Sequence, residues 1–131
     1  MDCIFCKIIN GEIPSYTIYE DEEVKAFLDV NPVANGHTLI IPKKHYENIY
    51  DADVEVLKHI EMASKAVGNL LKEKLGCIGI TRMQNNEYGQ EVKHYHMHII
   101  PRYEGDNLKV DYNKDKNEDV KKIFEEICKE K

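Results

Sequence analysis

The chain has 131 residues, of which 42% are hydrophobic and 32% charged, and a formal net charge of −6. That length fits one domain with its own core, and a sequence with neither an apolar run of membrane-spanning length nor a basic-then-apolar leader predicts a cytoplasmic protein with no membrane partner. The acidic balance argues against a nucleic-acid polymer as the main partner, because such binding draws on clustered Lys and Arg, but it leaves room for a small nucleotide or phosphate ester at one locally positive site.

Taken in chain order, the sequence opens on Cys3-Ile4-Phe5-Cys6 and turns at Asn10-Gly11 and Pro14. A hairpin follows, with strands at Thr17 to Tyr19 and Val24 to Leu28 around an acidic turn. After the loop NPVANG, the apolar density of HTLIIP, residues 37–42, predicts a central strand. From Asp53 to Leu75 the apolar residues recur at helical spacing, with acids at the start and Gly76 as the stop. A second hairpin is predicted from CIGITRM, residues 77–83, through the turn QNNEYGQE to VKHYHMHIIP, read as the longest strand. The charged remainder carries Val120, Ile123, Phe124 and Ile127 on one stripe, which predicts a C-terminal helix lying on the domain or on a partner subunit. Cys77 and Cys128 read as packing residues.

The last strand holds His94, His96 and His98, half of the chain's six histidines. On a strand these share one face, and Tyr95, Met97 and Ile99 share the other. Three uses fit such a stripe. It can be a solvated sheet face; it can bind metal, with neighbouring imidazoles converging on one ion; or one imidazole can act as a nucleophile whose neighbours fix its tautomer and neutralise charge. Residue chemistry alone leaves metal and nucleophile open. Cys3-x-x-Cys6 supplies only half of a tetrahedral site and could equally be two packed thiols.

GQEVKHYHMHIIPR resembles the signature of the histidine triad (HIT) family, His-x-His-x-His followed by two apolar residues. Three further stretches match in the same order: the N-terminal Cys-x-x-Cys of many bacterial members, FLDVNPVANGHTLIIPKKHYENI from Phe27 to Ile49, and the Asn-containing loop before Gly89-Gln90. The resemblance covers residues 3–103. It implies an α+β, HIT-like fold, with a mainly antiparallel sheet of about five strands, one long helix and a C-terminal helix. Residues 1–105 would form the domain and 106–131 a charged extension, and the family suggests a homodimer.

The resemblance also implies an enzyme, a hydrolase of purine nucleoside phosphoramidates. His96 would attack the α-phosphorus to give a nucleotidyl-histidine intermediate, with His98 as a second catalytic residue facing the phosphate and the leaving group. Asp29 would bind the ribose hydroxyls, unless it only caps the turn before Asn31-Pro32. His37, Asn85, Gly89 and Gln90 would complete the substrate site, with Asn86 as the alternative match to the family asparagine at Asn85. Cys3, Cys6, His45 and His94 would hold a structural zinc with no open position. At Glu91 the sequence departs from the family, which often has serine there; a carboxylate repels a substrate phosphate unless it is protonated, turned away or paired with a cation. Rival expectations are a nucleotidyl transferase or dinucleoside polyphosphate hydrolase of the same superfamily, a nucleotide-binding regulatory protein with little turnover, and a metalloenzyme using all three triad histidines.

Overall fold

The computed structural model describes residues 3–129. Its elements run α1 (Ile4–Ile9), β1 (Thr17–Glu20), β2 (Val24–Leu28), β3 (Thr38–Pro42), α2 (Val54–Leu75), β4 (Gly79–Met83), β5 (Met97–Arg102) and α3 (Val120–Ile127). The five strands form one sheet in the order β1-β2-β3-β5-β4, with every pairing antiparallel. The α+β architecture expected from the sequence is therefore the one observed.

β3 takes the centre because all five of its residues are buried, as a strand covered on both faces requires. Its alternating side chains serve two cores. Ile40 joins Val24, Ala26, Met97 and Ile99 beneath α2, while Leu39 and Ile41 join Phe27 on the opposite face beneath Phe5 and Ile8 of α1. The long helix contributes Val56, Ile60, Ala63, Val67 and Leu71 at spacings of three and four, the stripe that its sequence predicted. Asp53 caps its N-terminus by accepting from the Glu55 N–H, and Gly76, at φ 69°, ends it in the left-handed conformation that glycine adopts without strain. Arg82 of β4 reaches Glu61 of α2 at 2.6 Å and ties the edge strand to the helix.

Three features differ from the sequence expectation. Residues 4–9 form a helix rather than a lead-in to a turn; six residues are too few to display a period, and packing on the sheet, not propensity, sustains them. The strand expected from Val92 begins only at Met97, because β3, its partner, pairs no further than Ile40 with Met97. The alternation of side chains nevertheless holds across the irregular stretch: Tyr95, Met97 and Ile99 enter the α2 core, while His94 and His96 meet Phe5 of α1 on the other side. Lastly, α3 forms where its stripe predicted, but it buries none of its residues, and Cys128 is exposed rather than packed.

Gly36 sets the entry to β3 and hence the position of the neighbouring His37. Its φ is +91°, and a Cβ built there would stand 2.6 Å from Leu75 Cδ1 and 3.2 Å from Pro101 Cγ. Gly36→Ala is expected to cost about 1–3 kcal/mol through backbone strain and overpacking, read as a lowered urea midpoint at unchanged slope.

Candidate active site and metal centre

α1, the loop from Asp29 to His37, the loop from Met83 to Val92 and the start of β5 enclose a cavity of about 500 Å³ on the face opposite α2. His96 and His98 stand in its wall with Asp29, His37, Asn85 and Gly89. Its remaining lining is largely apolar, supplied by residues such as Phe5, Ile8, Phe27 and Val33. This combination of an apolar slot and a few convergent polar groups is the usual form of a small-molecule site.

Hydrogen bonds assign the ring protons. The carbonyl of His94 lies 2.8 Å from His96 Nδ1. A carbonyl only accepts, so Nδ1 carries the proton and Nε2 keeps a lone pair. At His37 the logic runs the other way, because the Val33 N–H donates to Nδ1 at 3.2 Å and leaves the proton on Nε2. That Nε2–H donates to His98 Nδ1 at 2.9 Å, so His98 carries its own proton on Nε2. The two neighbouring rings, 5.0 Å apart between centroids, therefore hold opposite tautomers: His96 offers a lone pair and His98 a donor. Burial pushes the pKa of His98 down to about 4, helped by its histidine neighbours, and burial likewise lowers His37 and His96. All three rings are neutral at pH 7.

Asp29 performs two tasks. Its Oδ1 accepts from the Asn31 N–H at 2.8 Å, which is the turn-capping role, while Oδ2 lies 3.7 Å from His37 Nε2 at the cavity. The loop of residues 84–91 is braced from beneath. Asn86 Oδ1 accepts from the Ile49 N–H at 2.8 Å and also from the Gln84 amide, which leaves Asn85 as the asparagine that lines the cavity. Gly89, at φ +89°, has nothing within 4 Å of where a Cβ would be, so its backbone is open to a ligand.

Gln90 differs from its expected place in the substrate site. It is buried and absent from the cavity lining, its amide donating to the Glu47 and Val92 carbonyls and its Oε1 accepting from the Glu87 N–H. Three satisfied bonds make it a strut of the loop. The apolar wall of α1 and the bracing by Asn86 were not read from the sequence, and only the pair Phe5 and Ile8, three residues apart, hinted at the former.

Behind the cavity, Cys3, Cys6, His45 and His94 bring one ligand atom each to within 4.8 Å of one another. His94 Nε2–H donates to the Pro42 carbonyl at 2.9 Å, which frees Nδ1 to face Cys3 Sγ at 3.4 Å, Cys6 Sγ at 3.6 Å and His45 Nδ1 at 3.0 Å. Tetrahedral zinc with sulfur and nitrogen ligands sets its donors about 3.3–3.8 Å apart; the donor set and its sulfur–nitrogen separations of 3.3 to 3.6 Å fit such an ion, while the two imidazole nitrogens lie closer, at 3.0 Å. The Pro42 carbonyl is the outer partner that orients a ligating imidazole. Burial, with Cys3 beside it, pushes the Cys6 thiol up to about 11, and a bound cation is what would hold it as thiolate at neutral pH. His94 thus belongs to this cluster and not to the cavity.

Residues 10–105 match the HIT domain family, and the chain belongs to it. It is 52% identical over 128 residues to a HIT-like protein of Methanocaldococcus jannaschii, covering 95% of this chain and 98% of that one. It is 40% identical over 100 residues to an adenosine 5′-monophosphoramidase of Saccharomyces cerevisiae, covering 76% and 62%. Among solved structures, a HIT family protein of Bacillus anthracis superposes with a TM-score of 0.84 at 39% identity, covering 97% and 92%. A zinc-bound histidine triad protein of Mycobacterium smegmatis does so with a TM-score of 0.79 at 34% identity, covering 88% and 85%. HIT proteins include nucleotide hydrolases, and the described residues hold no helix long and apolar enough to cross a membrane.

The histidine pKa values carry a stability consequence. For His98 and His37 the folded pKa lies below the ordinary 6.5, so the unfolded chain binds more protons as the pH drops below 6.5. Their stabilising contribution is complete above 6.5 and, for His98, is lost progressively down to about pH 4. Urea midpoints of wild type are expected to fall over this window more steeply than those of His98→Gln in the same buffers.

Proposed function

We propose that this protein is a nucleotide hydrolase that cleaves purine nucleoside phosphoramidates, or related nucleotide conjugates, at the α-phosphorus through a nucleotidyl-histidine intermediate. The observation that carries the reading is the pair of opposed tautomers at His96 and His98.

In this reading His96 Nε2 attacks the α-phosphorus, and the phosphorus–nitrogen bond to the leaving group breaks. The leaving nitrogen takes a proton from solvent at the cavity mouth. Attack places positive charge on the ring, and the Nδ1–H bond to the His94 carbonyl strengthens as that charge forms. His98, held by His37, donates its Nε2–H to a phosphoryl oxygen. Water then attacks the same phosphorus, its surplus proton goes to solvent, and the phosphorus–Nε2 bond breaks to restore the lone pair and release the nucleoside monophosphate. A neutral imidazole suits both halves, as a competent nucleophile at pH 7 and a displaceable group afterwards.

The substrate roles follow from chemistry. The free Asp29 Oδ2 is an acceptor for the ribose cis-diol, the apolar slot suits a flat base, and Asn85 with the Gly89 backbone offers donors to phosphate. Charge stabilisation by such preset donors supplies much of the rate in phosphoryl transfer. The yeast phosphoramidase at 40% identity supports this substrate class. Cys3, Cys6, His45 and His94 would hold zinc; a closed four-ligand site supplies stability rather than chemistry, fixing α1 against the strand that carries His96. The Mycobacterium smegmatis neighbour supports that assignment. Assembly as a homodimer belongs to the same proposal. A nucleotide-binding regulatory protein is the second reading, favoured by Glu91 in the cavity wall, and it predicts AMP binding without hydrolysis.

With adenosine 5′-phosphoramidate as substrate, His96→Ala is expected to lose activity by at least about 10³-fold while keeping its full zinc content. Cys6→Ser is expected to lose zinc and melt earlier. Zinc lost on changing His96 would point instead to a metal site built from the triad, and AMP binding by a wild type that turns nothing over would point to the regulatory reading.

A further inference from the structure

The cavity contains a charge imbalance that a bare phosphate does not satisfy. Its lining includes no Lys or Arg, yet it includes two carboxylates, Asp29 and Glu91. Asp29 Oδ1 accepts from the Asn31 N–H, and Oδ2 has the neutral His37 beside it at 3.7 Å. Glu91 is exposed and takes part in none of the ion pairs among the described residues. The basic side chain nearest to it in sequence, Lys93, donates to the Glu87 carbonyl at 3.3 Å.

The geometry of displacement says where this carboxylate acts. In phosphoryl transfer the leaving group departs roughly in line with the attacking atom and on the opposite side of phosphorus. His96 is buried, with 6% of its surface exposed, so the leaving group departs toward the open side of the cavity, and Glu91 is an exposed residue of the cavity wall. A neutral or anionic leaving group would meet an unpaired carboxylate there, beside a phosphate of like charge. A cationic one would lie between two anions and turn a repulsion into an attraction.

We propose that Glu91 is a specificity-determining residue that selects nucleotide conjugates whose leaving group bears a positive charge, an amine carrying a second, protonated amino group. The inference rests on the hydrolase reading above. It identifies the substrate class as zwitterionic: the conjugate brings its own cation to a cavity that has no fixed one.

The test uses three adenosine 5′-phosphoramidates of matched length, N-substituted with 3-aminopropyl, butyl and 2-carboxyethyl groups, with the full-length protein and Glu91→Gln at pH 7. For wild type, kcat/KM is expected to fall in the order cationic, neutral, anionic, with about a fivefold preference for the cationic over the neutral conjugate. In Glu91→Gln that ratio is expected to fall to about one. Turnover by wild type without a charge order, or a cationic preference that survives in Glu91→Gln, overturns this inference alone. Turnover of none of the three by wild type overturns the hydrolase reading, and this inference with it.

Discussion

The hydrogen bond from His96 Nδ1–H to the His94 carbonyl, 2.8 Å long, is the contact on which the chemistry of this fold turns. It joins two residues only two apart, and it decides which nitrogen of the buried ring can act. Its geometry depends on where the chain is held at His94. There the ring is clamped from both sides, Nε2 by the Pro42 carbonyl at the end of β3 and Nδ1 by the Cys3, Cys6 and His45 cluster. The cluster and the cavity are thus one construction: a metal-type ligand set fixes residue 94, and residue 94 fixes the tautomer of residue 96.

The same logic of backbone groups assigning protons extends to His37 and His98. Val33 is in a loop, yet its N–H determines, through His37, that His98 presents a donor to the cavity. Because all three rings are desolvated, none is charged at neutral pH, and the cavity holds a set of fixed dipoles instead of cations. That arrangement gives orientation and selectivity without a strong attraction for every anion. It also makes the unpaired carboxylate in the cavity wall a larger influence than it would be beside a lysine.

Packing explains why these groups can be so tightly arranged. The sheet is covered by α2 on one face and by the short α1 on the other, so β3 and the start of β5 are buried on both sides. α1 carries two of the four cluster ligands at its start and forms part of the cavity wall with Phe5 and Ile8. A helix of six residues has little stability of its own, and its position follows from the sheet beneath it and the cluster at its N-terminus.

Local patterns determined much of this protein. The period of two at residues 94–99 separated an imidazole face from an apolar one, and the period near 3.6 from Val56 to Leu71 produced α2, because both depend only on backbone geometry and burial. Several motifs in one order gave the family and the residues worth watching. Residue chemistry alone left the three histidines together, and only the resemblance grouped His94 with the cysteines, since that grouping depends on α1 and β3 meeting across the chain; neither could show that Gln90 braces a loop while its neighbours line the cavity, since all of them belong to one turn. The sequence could not show where each histidine keeps its proton. Those outcomes rest on which carbonyl or N–H of a distant segment lies within 3 Å or so of a ring nitrogen, and only the tertiary structure decides that.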